Sequence, residues 1–353
     1  MPSRKRIKIG ALSGEINRQR QTGRPWAVYK RPGEEDIFGI FQDGDTANRT
    51  AKGFLCRTFC QETETGLVIA PDRLYRVSRK PVARFLPEVL PVPDAEAREI
   101  HTGLVREAVA AIREGEMEKV VLARRFSVPF TGKPFDLFLN LCDLYPEAFC
   151  YLWEDPESGI WLGASPELLL EFDGVSGRTV SLAGTLPARE DQAPEWTEKE
   201  FAEQRIVTDC ILTRLGGMGI QAEAEDVRQV RAGNLWHLRS EIRFRTDQWD
   251  ALQLAQVLHP TPAVCGYPPL AAQTFILKNE NFNREYYCGY LGEVHADTTR
   301  LYVNLRCLQL REGRAHLYIG GGITRDSDPV AEWEEIQQKS LTVLRALRLS
   351  QPD

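Results

Sequence analysis

The stretch IGGGITRDSDPVAEWEEIQQK, residues 319–339, is the part of the sequence that decides the fold class. Three glycines follow an apolar strand end, and a polar turn then leads into a helix. Asp328 is a good N-cap and Pro329 suits the first helical position, so the pattern predicts a helix from Pro329 to about Leu349. A strand followed by an amphipathic helix is typical of a mixed α/β chain. The apolar stripe of this helix comprises Trp333, Ile336, Val343, Leu344 and Leu347.

Two carboxylates and a lysine line one edge of the same helix. Glu332, Glu335 and Lys339 are spaced i, i+3 and i+7, which places them on one side. Two carboxylates one turn apart, beside a glycine turn that lets a ligand approach the backbone, suit a hard divalent cation. The commoner interpretation of such a segment is an acidic first turn in solvent, favoured by the helix dipole.

Composition narrows the class of protein. The chain has 353 residues, of which 42% are hydrophobic and 27% charged, as in a soluble globular protein of one large or about two ordinary domains. A net charge of −6 without a basic cluster argues against a nucleic-acid partner. No apolar stretch approaches the roughly 20 residues that cross a bilayer, and the basic start lacks the apolar run of a secretory signal. Eight scattered cysteines without a C-x-x-C pair predict reduced thiols in a cytoplasmic protein.

The chain divides into a scaffold region and a region with candidate chemistry. Residues 1–94 show strand and loop patterns, with an exposed turn expected at 44–48. Residues 95–350 begin with a predicted helix from about Asp94 to Glu114 and carry the residues considered below. We expect the two regions to belong to one large domain.

Two residues near strand ends are candidates for proton transfer. Lys119 lies near the start of a predicted strand at 117–128; a lysine there is usually solvated, but a desolvated one with a lowered pKa would be a base. Glu167 follows a strand, with small residues before it and apolar residues after it. Its carboxyl either caps a neighbouring group or lies in a dry pocket, where a raised pKa would make it a proton donor.

A predicted helix at 198–215 carries inward-facing carboxylates. At about 100° per residue, Glu203 falls among the apolar residues and Glu200 faces inward near the helix start. A buried carboxylate without a partner is costly, so Glu203 requires a cation. That cation is an arginine, a lysine or a metal, and the pattern leaves these alternatives open.

Nine motifs, taken in order, resemble the chorismate-utilising enzymes and among them most closely the isochorismate synthases. The resemblance covers residues 95–349 and implies an α/β (α+β) fold: a four-layer α/β/β/α sandwich with two facing, mainly antiparallel sheets in one large domain. The motifs are KVVLAR (119–124), GASPELLL (163–170), LAGT (182–185), EKEFAEQRIVTD (198–209), LWHL (235–238), HPTPAVCGYP (259–268), FNREYYCG (282–289), NLRC (304–307) and GGGITRDSDPVAEWEE (320–335).

The resemblance implies a magnesium site. Glu203 and Glu335 would hold Mg²⁺, with Glu200 and Glu332 nearby as second ligands or through water. Magnesium commonly keeps several waters, so four carboxylates need not all touch it. The ion would bind the ring carboxylate of chorismate.

The resemblance also implies roles at the substrate. Lys119 would activate a water that attacks C2 of the ring, and Glu167 would protonate the departing C4 hydroxyl. The other implied residues pair with substrate carboxylates, offer backbone N–H groups or line the pocket. They are Gly184, Thr185, His237, Ala263, Val264, Tyr287, Arg306, Tyr318, Gly320, Gly321, Gly322 and Lys339.

Three features favour water addition within this family. The HPTPAV loop resembles isochorismate synthases, residues 186–188 lack the arginine-glycine continuation of anthranilate synthases, and the N-terminal third is short for a tryptophan-regulated enzyme. We therefore expect an isochorismate synthase, a monomer without a glutaminase subunit. Alternatives are a salicylate synthase, an ammonia-using anthranilate or aminodeoxychorismate synthase, and a phosphate-binding non-enzyme that uses the glycine run. Downstream use in menaquinone or siderophore biosynthesis is left open.

Overall fold

The computed structural model describes residues 4–44, 52–60, 66–84, 88–92, 94–188, 193–232 and 235–350. The turn expected at 44–48 lies outside these ranges except for its first residue. The described residues form two large sheets and seven helices. No helix among them is long and apolar enough to span a membrane.

Ten strands form the first sheet, sheet A. Every neighbouring pair in it is antiparallel except the edge pair β1–β6. In spatial order the strands are β1 (Lys5–Arg6), β6 (Arg73–Ser78), β3 (Asp36–Phe41), β2 (Trp26–Lys30), β8 (Phe149–Asp155), β9 (Gly159–Ser165), β18 (Cys307–Arg311), β19 (Arg314–Thr324), β7 (Lys119–Pro129) and β15 (Gly266–Tyr267).

Nine strands form the second sheet, sheet B, and all their pairings are antiparallel. In order they are β12 (Ala222–Ala224), β14 (Leu235–Arg245), β11 (Ser176–Pro187), β10 (Leu168–Phe172), β17 (Thr299–Val303), β16 (Tyr290–Val294), β4 (Gly53–Arg57) and β5 (Leu67–Ile69), with β13 (Arg228–Ala232) beside β14. The N-terminal region therefore supplies strands to both sheets, with β2, β3 and β6 in sheet A and β4 and β5 in sheet B.

The helices cover the outer faces of the sheets. They are α1 (Ile9–Thr22), α2 (Ala95–Arg113), α3 (Pro134–Leu144), α4 (Glu198–Gly217), α5 (Ala251–Leu258), α6 (Pro269–Asn279) and α7 (Pro329–Ser350). Helices α2, α3 and α7 pack on sheet A, and α4 and α5 pack on sheet B. Between the sheets the core is aromatic; for example, Phe149 stacks on Tyr302 with ring centroids 4.1 Å apart. The predicted four-layer α/β/β/α sandwich is confirmed.

Local capping signals explain the accuracy of two helix predictions. Helix α2 begins after Asp94, whose carboxylate accepts a hydrogen bond from the Ala97 N–H. Helix α7 begins after Asp328, whose carboxylate accepts from the N–H groups of Val330 and Ala331. Helix α1 was not predicted, since it has no side-chain cap, no acidic first turn and only three buried residues.

The predicted glycine turn is wrong. Gly320, Gly321 and Gly322 lie inside β19, opposite Ala123, Leu122 and Val121 of β7. On its other side, β19 pairs with β18 only as far as residue 318. Beyond that point this edge of the strand is unpaired by β18, and it lines the candidate site described next.

Candidate active site

A small cavity lies between the two sheets, with a volume of about 80 Å³. That is room for a few water molecules, so a ring-sized ligand requires its walls to move apart. Every predicted substrate-binding residue except Gly321 lines it, together with Glu167 and Glu203. The structure thus brings together Gly184, Thr185, His237, Ala263, Val264, Tyr287, Arg306, Tyr318, Gly320, Gly322 and Lys339.

Lys119 and Glu203 form an ion pair beside this cavity. Lys119 is completely buried at the start of β7, not solvated as a lysine at a strand end usually is. Its Nζ lies 2.8 Å from Oε1 of Glu203 on α4. The Gly184 N–H donates to Oε2 of Glu203 at 3.3 Å. Burial of Glu203 acts to raise its pKa, but the contact with Lys119 and the charges of Lys339 and Lys199 together lower the pKa below its usual value. The cation that the sequence demanded for Glu203 is therefore a lysine in this structure.

The two carboxylates of α7 also have lysine partners. Nζ of Lys199 lies 3.0 Å from Oε1 of Glu332, and Nζ of Lys339 lies 2.6 Å from Oε1 of Glu335. Burial and the neighbouring Glu335 charge raise the pKa of Glu332. The site is thus a set of three carboxylates balanced by three ammonium groups.

The carboxylates approach β19 where it has no side chains. A Cβ placed on Gly322 would lie 2.6 Å from Oε1 of Glu203. A Cβ on Gly321 would lie 3.8 Å from both Oε2 of Glu332 and Oε1 of Glu335. The three carboxylates therefore meet the strand at two adjacent glycines.

Glu200, the fourth predicted carboxylate, has another partner. Its Oε2 accepts hydrogen bonds from the backbone N–H of Thr197 at 2.8 Å and from its hydroxyl at 2.6 Å. This is the capping box at the start of α4. A role for Glu200 at a metal would require it to leave this cap.

The donor set fits a hard divalent cation in its chemistry. Glu203, Glu332 and Glu335 offer only oxygen ligands, which Mg²⁺ prefers. The repulsion between Glu332 and Glu335, visible in the raised pKa of Glu332, is relieved by positive charge. In the part of the chain that the structure describes, however, no three His, Cys, Asp or Glu side chains converge on one point. For these three carboxylates to bind one metal ion, their lysine partners must move away from them.

Glu167 is held in a dry position at the cavity wall. It is only 2% exposed, and its backbone carbonyl accepts from the Val303 N–H at 3.0 Å. Among the described residues, its Oε1 has no hydrogen-bond partner. Burial raises the pKa of Glu167 to about 8, against the lowering effect of the Lys119 charge. The carboxyl is therefore mostly protonated at neutral pH and can donate a proton.

His237 is neutral and presents an acceptor to the cavity. Burial, with the charges of Arg306 and Lys339, lowers the pKa of His237 to about 3. Its Nδ1 lies 2.9 Å from the Gly184 carbonyl oxygen, so Nδ1 carries the proton and donates. Nε2 then has a free lone pair, and it has no partner in the described parts of the chain. A substrate hydroxyl is a suitable donor for it.

Arg306 is positioned to receive an anion. Its Nη1 donates to Oγ1 of Thr342 at 3.1 Å and to the Lys339 carbonyl at 3.3 Å. Within the described ranges it forms no ion pair. Its φ of 51° lies in the left-handed region, which is strained for a residue other than glycine and recurs at functional sites.

The sequence did not identify Lys199 as part of the site. It belongs to the EKEFAEQ motif at the start of α4 and faces Glu332 from that helix. The available signal was that Lys199 lies among the acidic and polar residues of this motif. Its ion pair with Glu332, however, joins residues 133 positions apart. Only the fold brings them together.

We expect Gly322→Ala to lower activity about 10²-fold with little loss of folding. The added methyl would lie 2.6 Å from Glu203 Oε1 and 3.1 Å from Lys119 Cε, which displaces this pair, and such misplacement costs rates of this order. Steady-state kinetics and the melting temperature measure the two effects. Gly103→Ala in α2 is the control, since its Cβ meets no atom within 4 Å. Equal activity of the two variants would contradict the assignment.

Comparison with known proteins identifies the family. The family described as chorismate binding enzyme matches residues 33–345, and the chain belongs to it. Isochorismate synthase EntC of Escherichia coli (strain K12) is 31% identical over 260 residues, which cover 70% of this chain and 66% of EntC. Anthranilate synthase component 1 of Streptomyces coelicolor is 34% identical over 256 residues, covering 69% of this chain and 50% of that protein. The chain thus spans half to just under two thirds of these relatives.

Solved structures agree on the fold. The protein DhbC of Bacillus anthracis superposes with a TM-score of 0.78, covering 93% of this chain and 97% of that one at 24% identity. Anthranilate synthase component I of Streptococcus pneumoniae gives a TM-score of 0.61 over 72% of this chain and 61% of that one, at 29% identity. The described sheets, including the N-terminal strands, therefore follow the architecture of chorismate-binding enzymes.

Proposed function

We propose that this protein is an isochorismate synthase that interconverts chorismate and isochorismate with Mg²⁺. A water oxygen adds at C2 of the ring, the double bonds shift, and the C4 hydroxyl leaves as water. One water enters and one departs, so the reaction is an isomerisation. The observation that carries the proposal is a buried glutamate with a raised pKa in the cavity wall and a buried lysine beside that cavity.

Glu167 is the proposed acid. Loss of hydroxide from C4 is slow unless the leaving oxygen is protonated. A carboxyl with a pKa of about 8 retains its proton at neutral pH and gives it up in the transition state. An ordinary exposed glutamate would be ionised under the same conditions.

Lys119 is the proposed base. Water is a poor nucleophile until a base removes a proton from it, whereas ammonia already carries a reactive lone pair. A buried lysine in the site therefore favours water addition over amination. Lys119 accepts a proton only as the free amine, so the step requires that it first lose the proton shared with Glu203.

The anionic groups of chorismate match the cationic wall. Arg306 and Lys339 line the cavity, and Lys339 donates to the Gly320 carbonyl at 3.1 Å. Arg306 suits bidentate contact with one carboxylate. Glu203 and Glu335 would hold Mg²⁺, with Glu332 beside them. The ion, when bound, supplies positive charge for the ring carboxylate.

Product analysis tests this function directly. We expect purified protein, given chorismate and Mg²⁺ without ammonium, to form an equilibrium mixture of chorismate and isochorismate, separable by liquid chromatography. EDTA should stop the reaction, and excess Mg²⁺ should restore it, because three carboxylates without the ion leave the ring carboxylate unneutralised.

Other products would assign the site differently. Salicylate with pyruvate would identify a salicylate synthase. An aminated product that forms only with ammonium would identify an anthranilate or aminodeoxychorismate synthase, and the 34% identity to an anthranilate synthase makes this control necessary. The phosphate-binding alternative loses its basis, since the glycines lie in a strand and not in a loop before a helix.

A further inference from the structure

A second and larger cavity adjoins the candidate active site. Its volume is about 760 Å³, and it shares Pro166, Leu182 and Arg306 with the small cavity. Both cavities are lined by residues of both sheets. The small cavity, here the inner cavity, is therefore adjacent to a much larger one.

The two cavities follow one face of sheet B. On β14, His237 lines the small cavity and Arg239, two residues on, lines the large one. On β11, Gly184 lines the small cavity, Leu182 lines both, and Arg178 lines the large one. Alternate residues of a strand face the same side, so these side chains form one continuous path.

The larger cavity is rich in positive charge, although the chain as a whole carries a net charge of −6. Its wall contains six arginines and three glutamates, so cations outnumber anions two to one. The arginines are Arg31, Arg178, Arg231, Arg239, Arg300 and Arg306.

Their carboxylate partners are shared. Glu171 accepts from both Arg178 and Arg300 at 2.6 Å. Glu241 lies 3.2 Å from both Arg178 and Arg239. Glu241 also pairs with Arg243, and Arg300 also lies 3.6 Å from Glu293, so these carboxylates are shared among several guanidinium groups.

Two of these arginines lie where the cavities meet. Arg239 is the cross-strand partner of Leu182, the residue common to both walls. Its ion pair is with Glu241, which it shares. Arg306 belongs to both walls and forms no ion pair within the described parts of the chain.

We propose that the larger cavity, the arginine vestibule, collects small dicarboxylate anions and delivers them to the active site. The proposal rests on the function proposed above, because chorismate carries two carboxylates. The field of clustered arginines raises the local concentration of such an anion and its rate of entry. The inner cavity alone, at about 80 Å³, offers no comparable capture surface.

Arg239→Gln tests the vestibule. We expect kcat/KM for chorismate at low ionic strength to fall roughly threefold to tenfold, because steering by charge contributes about 10–10³ in rate. We expect kcat to stay unchanged. The difference should shrink towards 1 M salt, where the screening length is about 3 Å. Arg231→Gln, an exposed residue of the same wall, should act in the same direction.

Two matched variants complete the test. Arg243→Gln removes the same charge from the same strand face and also pairs with Glu241, but it does not line the cavity. It should keep the wild-type kcat/KM. Arg239→Lys retains the charge and should recover most of the loss.

Three results would overturn the vestibule while leaving the proposed function intact. They are an unchanged kcat/KM for both Arg239→Gln and Arg231→Gln at low salt, an equal loss for Arg243→Gln, or a loss that salt does not alter. A wild-type protein that forms no isochorismate would instead overturn the proposed function, and the vestibule with it.

Discussion

Glu167→Gln should lower kcat by about 10²–10⁴-fold, the usual contribution of a general acid. The amide has nearly the shape of the carboxyl but holds no proton that it can transfer to the C4 oxygen. Glu167 is 2% exposed and neutral when protonated, so the neutral amide should be accommodated without loss of folding. The control is Glu118→Gln, which changes an exposed glutamate directly before Lys119 in the sequence. A Gln variant with wild-type kcat would remove Glu167 from the mechanism.

The same residue gives the reaction a pH limit. Activity that needs protonated Glu167 should decline as pH rises through about 8, and measured kcat against pH reports this limb. The stability of the fold should also decrease as pH rises. The pKa of Glu167 is higher in the folded than in the unfolded chain, so the stabilisation by protonated Glu167 is lost between about pH 4.5 and 8. The melting temperature of Glu167→Gln relative to wild type should therefore rise across this window.

Lys119→Met should also lower kcat by about 10²–10⁴-fold, because water loses its base. Methionine keeps the apolar length of a side chain that is completely buried, so packing is largely retained. The unfolding free energy should fall by at most about 3–5 kcal/mol, the cost of leaving one charge of a buried ion pair without its partner. Lys199 and Lys339 still lower the energy of the Glu203 charge.

A double variant separates the two effects of Lys119→Met. Lys119→Met with Glu203→Gln removes both charges of the pair, so stability should partly return; kcat should stay low, because the double variant lacks the base and also a proposed Mg²⁺ ligand. Denaturant unfolding and steady-state kinetics are measured on the wild type, Lys119→Met, Glu203→Gln and the double variant, which complete the double-mutant cycle. Recovery of activity in the double variant would show that Lys119 only balances Glu203.

Local signals explain the parts of the fold and site that were predictable. Asp94 and Asp328 cap their helices through nearest neighbours in sequence, so the helix starts were readable. The apolar residues after Glu167 predicted either a cap or a dry pocket for its carboxyl, and the structure has the carboxyl buried. The helical period placed Glu203 on the buried face of its helix, and a buried carboxylate needs a cation.

Long-range pairing explains the errors. Three successive glycines suggested a turn, but eleven consecutive pairs between β19 and β7 hold them in a strand. Glu200 faced inward by its period, yet Thr197 binds its carboxylate in the capping box. The pairing of Lys199 with Glu332 depends on two helices that sequence periodicity cannot place side by side.

The side-chain-free segment of β19 also constrains how this protein can diversify. A Cβ on Gly320 would lie 2.8 Å from the Tyr287 hydroxyl, and one on Gly322 even closer to Glu203. Any substitution of these glycines adds a side chain, and the added atoms would collide with the neighbouring residues. Adaptation to a new substrate would therefore fall to other lining residues that carry side chains, such as Ala263 and Val264. Substitution at Gly320 or Gly322 is therefore restricted by its neighbours, whereas Ala263 and Val264 can change side-chain volume.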